Sequence, residues 1–273
     1  MTSKLGILAG GGDLPRRLIQ VCRENGRDVY VLAFEGQTEP ETVAGVEHGW
    51  THLGSTTAAL DMLRAAAVSD VVLAGPMARP SLRDLRLDPL SVKVLAKAGA
   101  SALGDDGLLR AIVGTLEGAG FRVLGVDDVL GDVAAPTGPF GRHSPDAQAE
   151  QDIARGIAVA RALGAHDVGQ AVVVQQGLVL GVEAIEGTDR LLDRCAELRR
   201  NGPGGVLVKV RKPRQEARAD LPTIGVHTIE RAVAAGLRGI AVQAGGALVI
   251  DRPAVTRAAD AAGLFVVGVQ VDA

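Results

Sequence analysis

The sequence predicts an α/β protein in two parts: an N-terminal Rossmann-like domain with a parallel sheet, then a C-terminal α/β domain with a mixed sheet. Three observations carry this. In the first half, short apolar runs alternate with amphipathic stretches of helical length, the pattern of βαβ units. Around the middle, "GDVAAPTGPFGRHSP" interrupts that alternation with a cluster of glycine and proline. Beyond it, two apolar runs flank Gly177 too closely for a helix to intervene, so antiparallel pairing enters. A length of 273 residues suits two domains at roughly 150 residues each. The expected boundaries are 1–130, a linker at 131–144, and 145–273.

"KLGILA" reads as the first strand and "LPRRLIQVCREN" as the first helix, with Leu14, Leu18, Val21 and Cys22 on one face and Gly26 as its stop. "RDVYVLAF" is the next strand. A short strand near "WTHLG", a helix over "TTAALDMLRAAA" and the strand "DVVLAG" follow. After "PMARPS" come two helices, "DPLSVKVLAKA" and "DDGLLRAIVGTLEGA", and the strand "FRVLGV".

In the second half, Ser144 and Pro145 suit the N-cap and first position of a long helix through "DAQAEQDIARGIAVARAL". "QAVVVQQGLVLGVEA" reads as two strands, "TDRLLDRCAELRR" as a helix and "GVLVKVRK" as a strand. A helix from Val226 to Leu237 leads into a hairpin, "GIAVQAGGALVI", then the helix "PAVTRAADAAG" and the strand "LFVVGVQV". The order helix, hairpin, helix, strand thus occurs twice, the signature of a diverged internal repeat.

Composition narrows the function. With 47% hydrophobic residues but only four Phe, one Trp and one Tyr, the cores are aliphatic. A formal charge of −3 and the lack of a basic, aromatic-interleaved patch argue against nucleic acid as a partner. Cys22 and Cys195 lie far apart in helical stretches, as core thiols of a reducing compartment do. Leu5 to Ala9 is too short for a signal peptide, and no run approaches the ~18 apolar residues of a membrane span. A cytoplasmic protein is expected, with room for peripheral contact at a membrane surface.

Several stretches could carry chemistry. In "GILAGGGDLP", Gly10, Gly11 and Gly12 join the first strand to a helix N-terminus, where free amides favour an anion. The dinucleotide fingerprint needs a further glycine where Pro15 stands, and Asp13 suits a helix cap, so the turn departs from that of a nicotinamide oxidoreductase, which is kept as the alternative reading. Glu35 ends the second strand, where dinucleotide folds bind ribose, although a lone acid there is commonly solvated. Asp105 and Asp106 open a helix; capping accounts for one, leaving the other for a metal or a ligand hydroxyl. Glu186, Gly187, Thr188 and Asp189 precede another helix. Thr188 can cap it, while Glu186 and Asp189 are candidates for magnesium or simply favour the helix dipole.

"VKVRKPRQEARADLPTIG" gathers Lys209, Arg211, Lys212, Arg214 and Arg218 around Gln215, Glu216 and Asp220. Lys209 and Arg211 share a strand face by the two-residue period. After Pro213 the segment is aperiodic and reads as a loop suited to a phosphorylated substrate, or else as a solvated charge run. His48 and His52 stand at i and i+4 without a helix to align them, so no zinc site is implied. A non-catalytic nucleotide-binding module is a third reading, disfavoured by the clustered charge of this loop.

Taken together, "GILAGGGDLP", "LAGPMARPS", "GDDGLLR", "DVGQAVVVQQGLVLGVEAIEGTDRLLDR", "VLVKVRKPRQEARADLPTIG" and "GLRGIAVQAGG" span nearly the whole chain. In them the chain resembles the UDP-2,3-diacylglucosamine pyrophosphatases of lipid A biosynthesis. The resemblance is to the two-domain type, unrelated to the calcineurin-like metallophosphoesterases of the same step. It departs at Glu216, where the family commonly has aspartate, and at Arg214, where glycine is commoner. The resemblance implies a magnesium-dependent hydrolase that splits UDP-2,3-diacylglucosamine into UMP and 2,3-diacylglucosamine 1-phosphate, with substrate held between the domains. It implies peripheral contact with the cytoplasmic face of the inner membrane and leaves the oligomeric state open. Asp220, in "DLPT", is implied to be needed for activity, as magnesium ligand or as the group that orients water; Lys209 and Lys212 carry phosphate charge. Gly11, Gly12, Asp13, Gly75, Asp105, Asp106, Thr188, Gln215 and Thr223 are the implied substrate contacts, with Glu186 and Asp189 as further metal ligands.

Overall fold

The structure, a computed structural model, describes residues 3–78, 85, 87–98, 105–213 and 215–271. It divides into two compact units. The first comprises Met1–Gly131 with Glu216–Asp220; the second comprises Asp132–Gln215 and Leu221–Ala273.

In the first unit, β1 (Leu5–Ala9), β2 (Val29–Phe34), β3 (Glu47–Thr51), β4 (Asp70–Ala74) and β5 (Arg122–Leu124) form a sheet in the order β3-β2-β1-β4-β5. Every pairing is parallel. Helices α1 (Asp13–Glu24), α2 (Thr56–Ala65), α3 (Pro89–Ala98), α4 (Asp105–Gly118) and α5 (Val126–Leu130) connect the strands. β1, β2 and β4 are buried throughout, as strands covered on both faces must be, which is why they read as unbroken apolar runs. Leu8, Leu32, Leu63, Val71, Leu73 and Val113 lead one core cluster. The order reverses between β1 and β4. Ligands of open α/β sheets bind outside the carboxyl ends of the strands at such a point.

The second unit is built on β6 (Gly138–Pro139), β7 (Ala171–Gln175), β8 (Leu178–Val182), β9 (Val206–Lys209), β11 (Gly239–Gln243) and β13 (Phe265–Val269), in the order β6-β13-β11-β9-β7-β8. β10 (Thr223–Ile224) and β12 (Leu248–Val249) form a separate parallel pair. β9, β11 and β13 run parallel, whereas β7 is antiparallel to both β8 and β9, so the sheet is mixed. Strand alternation sends Val173, Leu207, Ile240 and Val266 into a core cluster with residues of α7 (Gly187–Glu197), α8 (Val226–Ala234) and α9 (Arg252–Ala262). Their neighbours Val172, Val208, Ala241 and Val267 join a second cluster with residues of α6 (Ala147–Ala165). Buried Asp152 of α6 fixes the β7–β8 turn by accepting from the amides of Gln176 at 3.0 Å and Gly177 at 2.6 Å.

Four expectations are corrected here. The cap of α6 is Asp146, not Ser144: its carboxylate accepts from the Ala149 amide at 2.9 Å. The segment expected as a linker is part of the second unit: β6 pairs antiparallel with β13, and Ala135 is buried in the core. "GIAVQAGGALVI" is not a hairpin. Both edges of β11 are taken by β9 and β13, so Leu248–Val249 finds its partner in β10 instead. Without that second hairpin the internal repeat fails as well.

Candidate active site

In the first unit, the carboxyl ends of β1 and β4 turn against each other backbone to backbone. The amides of Gly10 and Gly11 donate to the carbonyls of Ala74 (2.8 Å) and Pro76 (2.9 Å). A Cβ on Gly10 would lie 2.4 Å from the Pro76 oxygen, and one on Gly75 would lie 2.3 Å from the Gly11 oxygen. The glycines therefore let two turns touch. Gly12, at φ 76, is the residue of the triplet in the left-handed region. Asp13 is not the cap expected: Gly12 holds that position, and Asp13 is an exposed partner of Arg16 at 2.6 Å. The Gly12 amide instead donates to Glu39 Oε1 at 3.1 Å. The negative group that a helix N-terminus attracts thus comes from this chain's own Glu39. Glu35 pairs with His52 at 3.3 Å, both half-exposed.

Asp106, at the start of α4, is buried and accepts from the backbone amide of Glu216 at 2.7 Å; Arg110 approaches it at 3.0 Å. Glu216 clamps Arg218 at 2.9 Å, and Arg218 reaches Glu117 at 2.6 Å. Hydrogen bonding from Arg218 is the main reason the Glu216 carboxyl sits below its usual range, with Arg110 adding to the effect. The Asp220 amide closes onto the Glu216 carbonyl at 3.0 Å, and Ala219 packs against the first unit's core. Glu216 serves here as an arginine clamp. Asp220 itself is partly buried at the end of this anchored segment.

In the second unit, Lys209 ends β9 with its side chain buried and Nζ donating to the Thr223 carbonyl at 3.2 Å. Because the strand stops there, the shared face expected for Lys209 and Arg211 is not formed: Arg211 is exposed, its amide bonded to Gln243. Lys212 is also buried, and its Nζ donates to Asp167 at 2.6 Å. Gln215 accepts from the Lys212 amide through Oε1 at 3.0 Å and donates through Nε2 to Gln170 Oε1 at 3.0 Å. The Gln170 amide donates to Glu183, which also accepts from Thr188 Oγ1 at 2.6 Å. Thr188 therefore orients Glu183 rather than capping α7, whose N-cap is Glu186.

The network joins Thr188, Gln215 and Lys212 through residues that the sequence did not single out: Glu183, Gln170 and Asp167. Nothing local flags the first two; Asp167 stands where a helix end favours glycine. Glu186 and Asp189 sit apart from this chain of bonds, paired with Arg194 (2.6 Å) and His227 (3.3 Å). Arg214, the side chain of Asp105 and residues 79–81 of the "LAGPMARPS" stretch lie outside the described residues. No group of three or more His, Cys, Asp and Glu able to hold a metal ion occurs among the described residues. None of their helices is long and apolar enough to cross a membrane.

Residues 4–133 match the family model of the LpxI N-terminal domain, and residues 136–267 match that of the LpxI C-terminal domain. The chain belongs to the LpxI family. A LpxI relative from Caulobacter vibrioides (strain ATCC 19089 / CIP 103742 / CB 15), named UDP-2,3-diacylglucosamine pyrophosphatase, is 43% identical over 275 residues, covering 97% of each chain. Among solved structures, the Bordetella bronchiseptica enzyme WbmG in complex with NAD is 14% identical, with a TM-score of 0.31 over 44% of this chain and 36% of that one. The structure of gox2253 is 14% identical, with a TM-score of 0.33 over 97% of this chain and 76% of that one.

Proposed function

We propose that this chain hydrolyses the pyrophosphate bond of UDP-2,3-diacylglucosamine, giving UMP and 2,3-diacylglucosamine 1-phosphate in lipid A biosynthesis. The observation that carries the reading is the relationship, over 97% of both chains, to the Caulobacter vibrioides pyrophosphatase. Water adds its oxygen to one phosphorus and gives up a proton to solvent, the bridging P–O bond breaks, and the leaving phosphate keeps the bonding electrons. Protein groups contribute by position and charge, since such transition states are met by fixed cations and oriented donors.

The buried ammonium groups of Lys209 and Lys212 are the cations for the phosphates, held in place by Thr223 and Asp167. Asp220 provides the carboxylate that orients the attacking water, directly or as a metal ligand. Magnesium suits such a donor set, because it takes one or two carboxylates and fills its remaining positions with phosphate oxygens and water. When bound it would neutralise charge on the pyrophosphate. Asp220 is the carboxylate that would hold it; Glu186 and Asp189, the further ligands expected from the sequence, are instead paired with Arg194 and His227. The acyl chains of the substrate imply peripheral contact with the membrane that holds it.

Purified protein incubated with UDP-2,3-diacylglucosamine, with magnesium or with EDTA, tests the reading by UMP release. UMP formation that EDTA abolishes is expected. No UMP in either condition overturns the activity, and full activity in EDTA overturns the magnesium dependence alone.

A further inference from the structure

The end of α6 holds a residue that its backbone does not favour. The Asp167 amide donates to the Gly164 carbonyl at 3.0 Å and the Val168 amide to the Leu163 carbonyl at 3.1 Å, the paired bonds of a Schellman motif. Asp167 occupies the left-handed step of that motif, at φ 55. After α1 and α9 the left-handed step is taken by Gly26 and Gly263, and after α2 by Ala67 at φ 55; Asp167 is the charged residue among them. A carboxylate here is chiefly an electrostatic cost: aspartate tolerates the left-handed step better than most side chains though less well than glycine, whereas its negative charge opposes the carbonyl end of the helix dipole.

What that carboxylate does is visible across the fold. Its Oδ1 accepts from Lys212 Nζ at 2.6 Å, and Lys212 is 7% exposed. α6 also presses on the same residue, since a Cβ on Gly164 would lie 3.2 Å from the Lys212 Cα and from the Pro213 ring. Lys212 in turn is tied to Gln215, whose Oε1 accepts from the Lys212 amide and whose amide donates to the Lys212 carbonyl.

We propose that Asp167 is a positioning residue for the hydrolysis, acting through Lys212: it fixes the ammonium group and the turn that bears it. The inference rests on the reading that Lys212 meets substrate phosphate. Local rules broken at one position, with the gain at another, mark a functional constraint rather than a helix-ending one.

The test compares hydrolysis of UDP-2,3-diacylglucosamine by Asp167→Gly, Lys212→Met and the double variant, with thermal melts of each. Glycine suits the left-handed position better than aspartate, so a broken helix end cannot explain a loss of turnover. Asp167→Gly is expected to fold but to melt below the parent protein, because buried Lys212 loses the counter-charge of Asp167; assayed well under that melt, its kcat/KM falls about 10- to 100-fold, the scale of a misplaced catalytic group. The double variant should be no slower than Lys212→Met alone, a non-additivity that a merely structural aspartate would not give. Should Asp167→Gly fail to fold, Asp167→Asn, which tolerates the same backbone, carries the comparison. Normal turnover in Asp167→Gly beside a slow Lys212→Met overturns the proposal and leaves the role of Lys212 standing. Normal turnover in Lys212→Met removes the premise, and the proposal with it.

Discussion

The segment that carries Asp220 is anchored to the first unit by the buried Asp106, and removing that anchor should slow the enzyme by a bounded amount. In Asp106→Ala the Glu216 amide loses its carboxylate acceptor at 2.7 Å. A hydrogen bond to a charged group contributes about 1.5–3 kcal/mol. Taking about 2 kcal/mol, and about 1.4 kcal/mol per factor of ten, the docked segment becomes about thirtyfold less favoured. The Arg218–Glu117 pair is half-exposed and adds ~0–1 kcal/mol, so it cannot replace the lost anchor. Ala219 still packs against the core, so part of the docking survives the loss. kcat/KM measured by UMP release should fall about 5- to 30-fold, and amide exchange across 216–220 should accelerate by a similar factor. Asp106→Asn, which keeps one acceptor oxygen, should fall between. Unchanged exchange would show that Asp106 does not hold the segment. Faster exchange with undiminished turnover would refute the link between docking and Asp220.

Three further outcomes are expected. Asp220→Ala should fold normally, as judged by circular dichroism, and lose at least about 10²-fold in turnover, with Asp220→Asn nearly as inactive; an active Asn variant would reduce Asp220 to a loop-positioning residue. Asp70 is buried and bonded to Arg122 (2.7 and 2.8 Å), Arg27 and Ser3. Its carboxyl lies below the usual range chiefly through Arg122. Its contribution is therefore complete above the unfolded value near pH ~4 and is lost as pH falls through the lower folded value. Asp70→Ala should cost about 2 kcal/mol near neutrality, less than a wholly buried pair because Arg122 is exposed to water. That shifts by roughly 4–8 °C the melt reported by Trp50 fluorescence, and the gap should close in acid; equal melting of the two proteins at pH 7 would contradict it. Finally, a methyl on Gly10 would meet backbone oxygen at 2.4 Å, so Gly10→Ala should lose roughly 1–3 kcal/mol in denaturant unfolding, and an unchanged midpoint would count against the close packing of the two turns.

The hydrophobic period is written into neighbouring residues, and most of the fold followed from it. The strands Leu5–Ala9, Val29–Phe34 and Asp70–Ala74, the helices around them, and the mixed sheet after Gly177 were all legible because burial on two faces or one face leaves a local pattern. The family was equally legible, since its motifs run in order along the chain. Partnership was not. "GIAVQAGGALVI" looks like a hairpin until the edges of Gly239–Gln243 are filled by strands from elsewhere in the chain. Glu39 meets the amide of Gly12 across 27 residues, and Gln170 meets Gln215 beside Lys212 across 45, separations that no window spans. A side chain's type shows what chemistry it can do; which polar groups it meets is decided by how distant segments pack. That is why the sequence determined two α/β domains and a charged loop, whereas only the tertiary structure decided that Asp106 anchors the loop and that Asp167 holds Lys212.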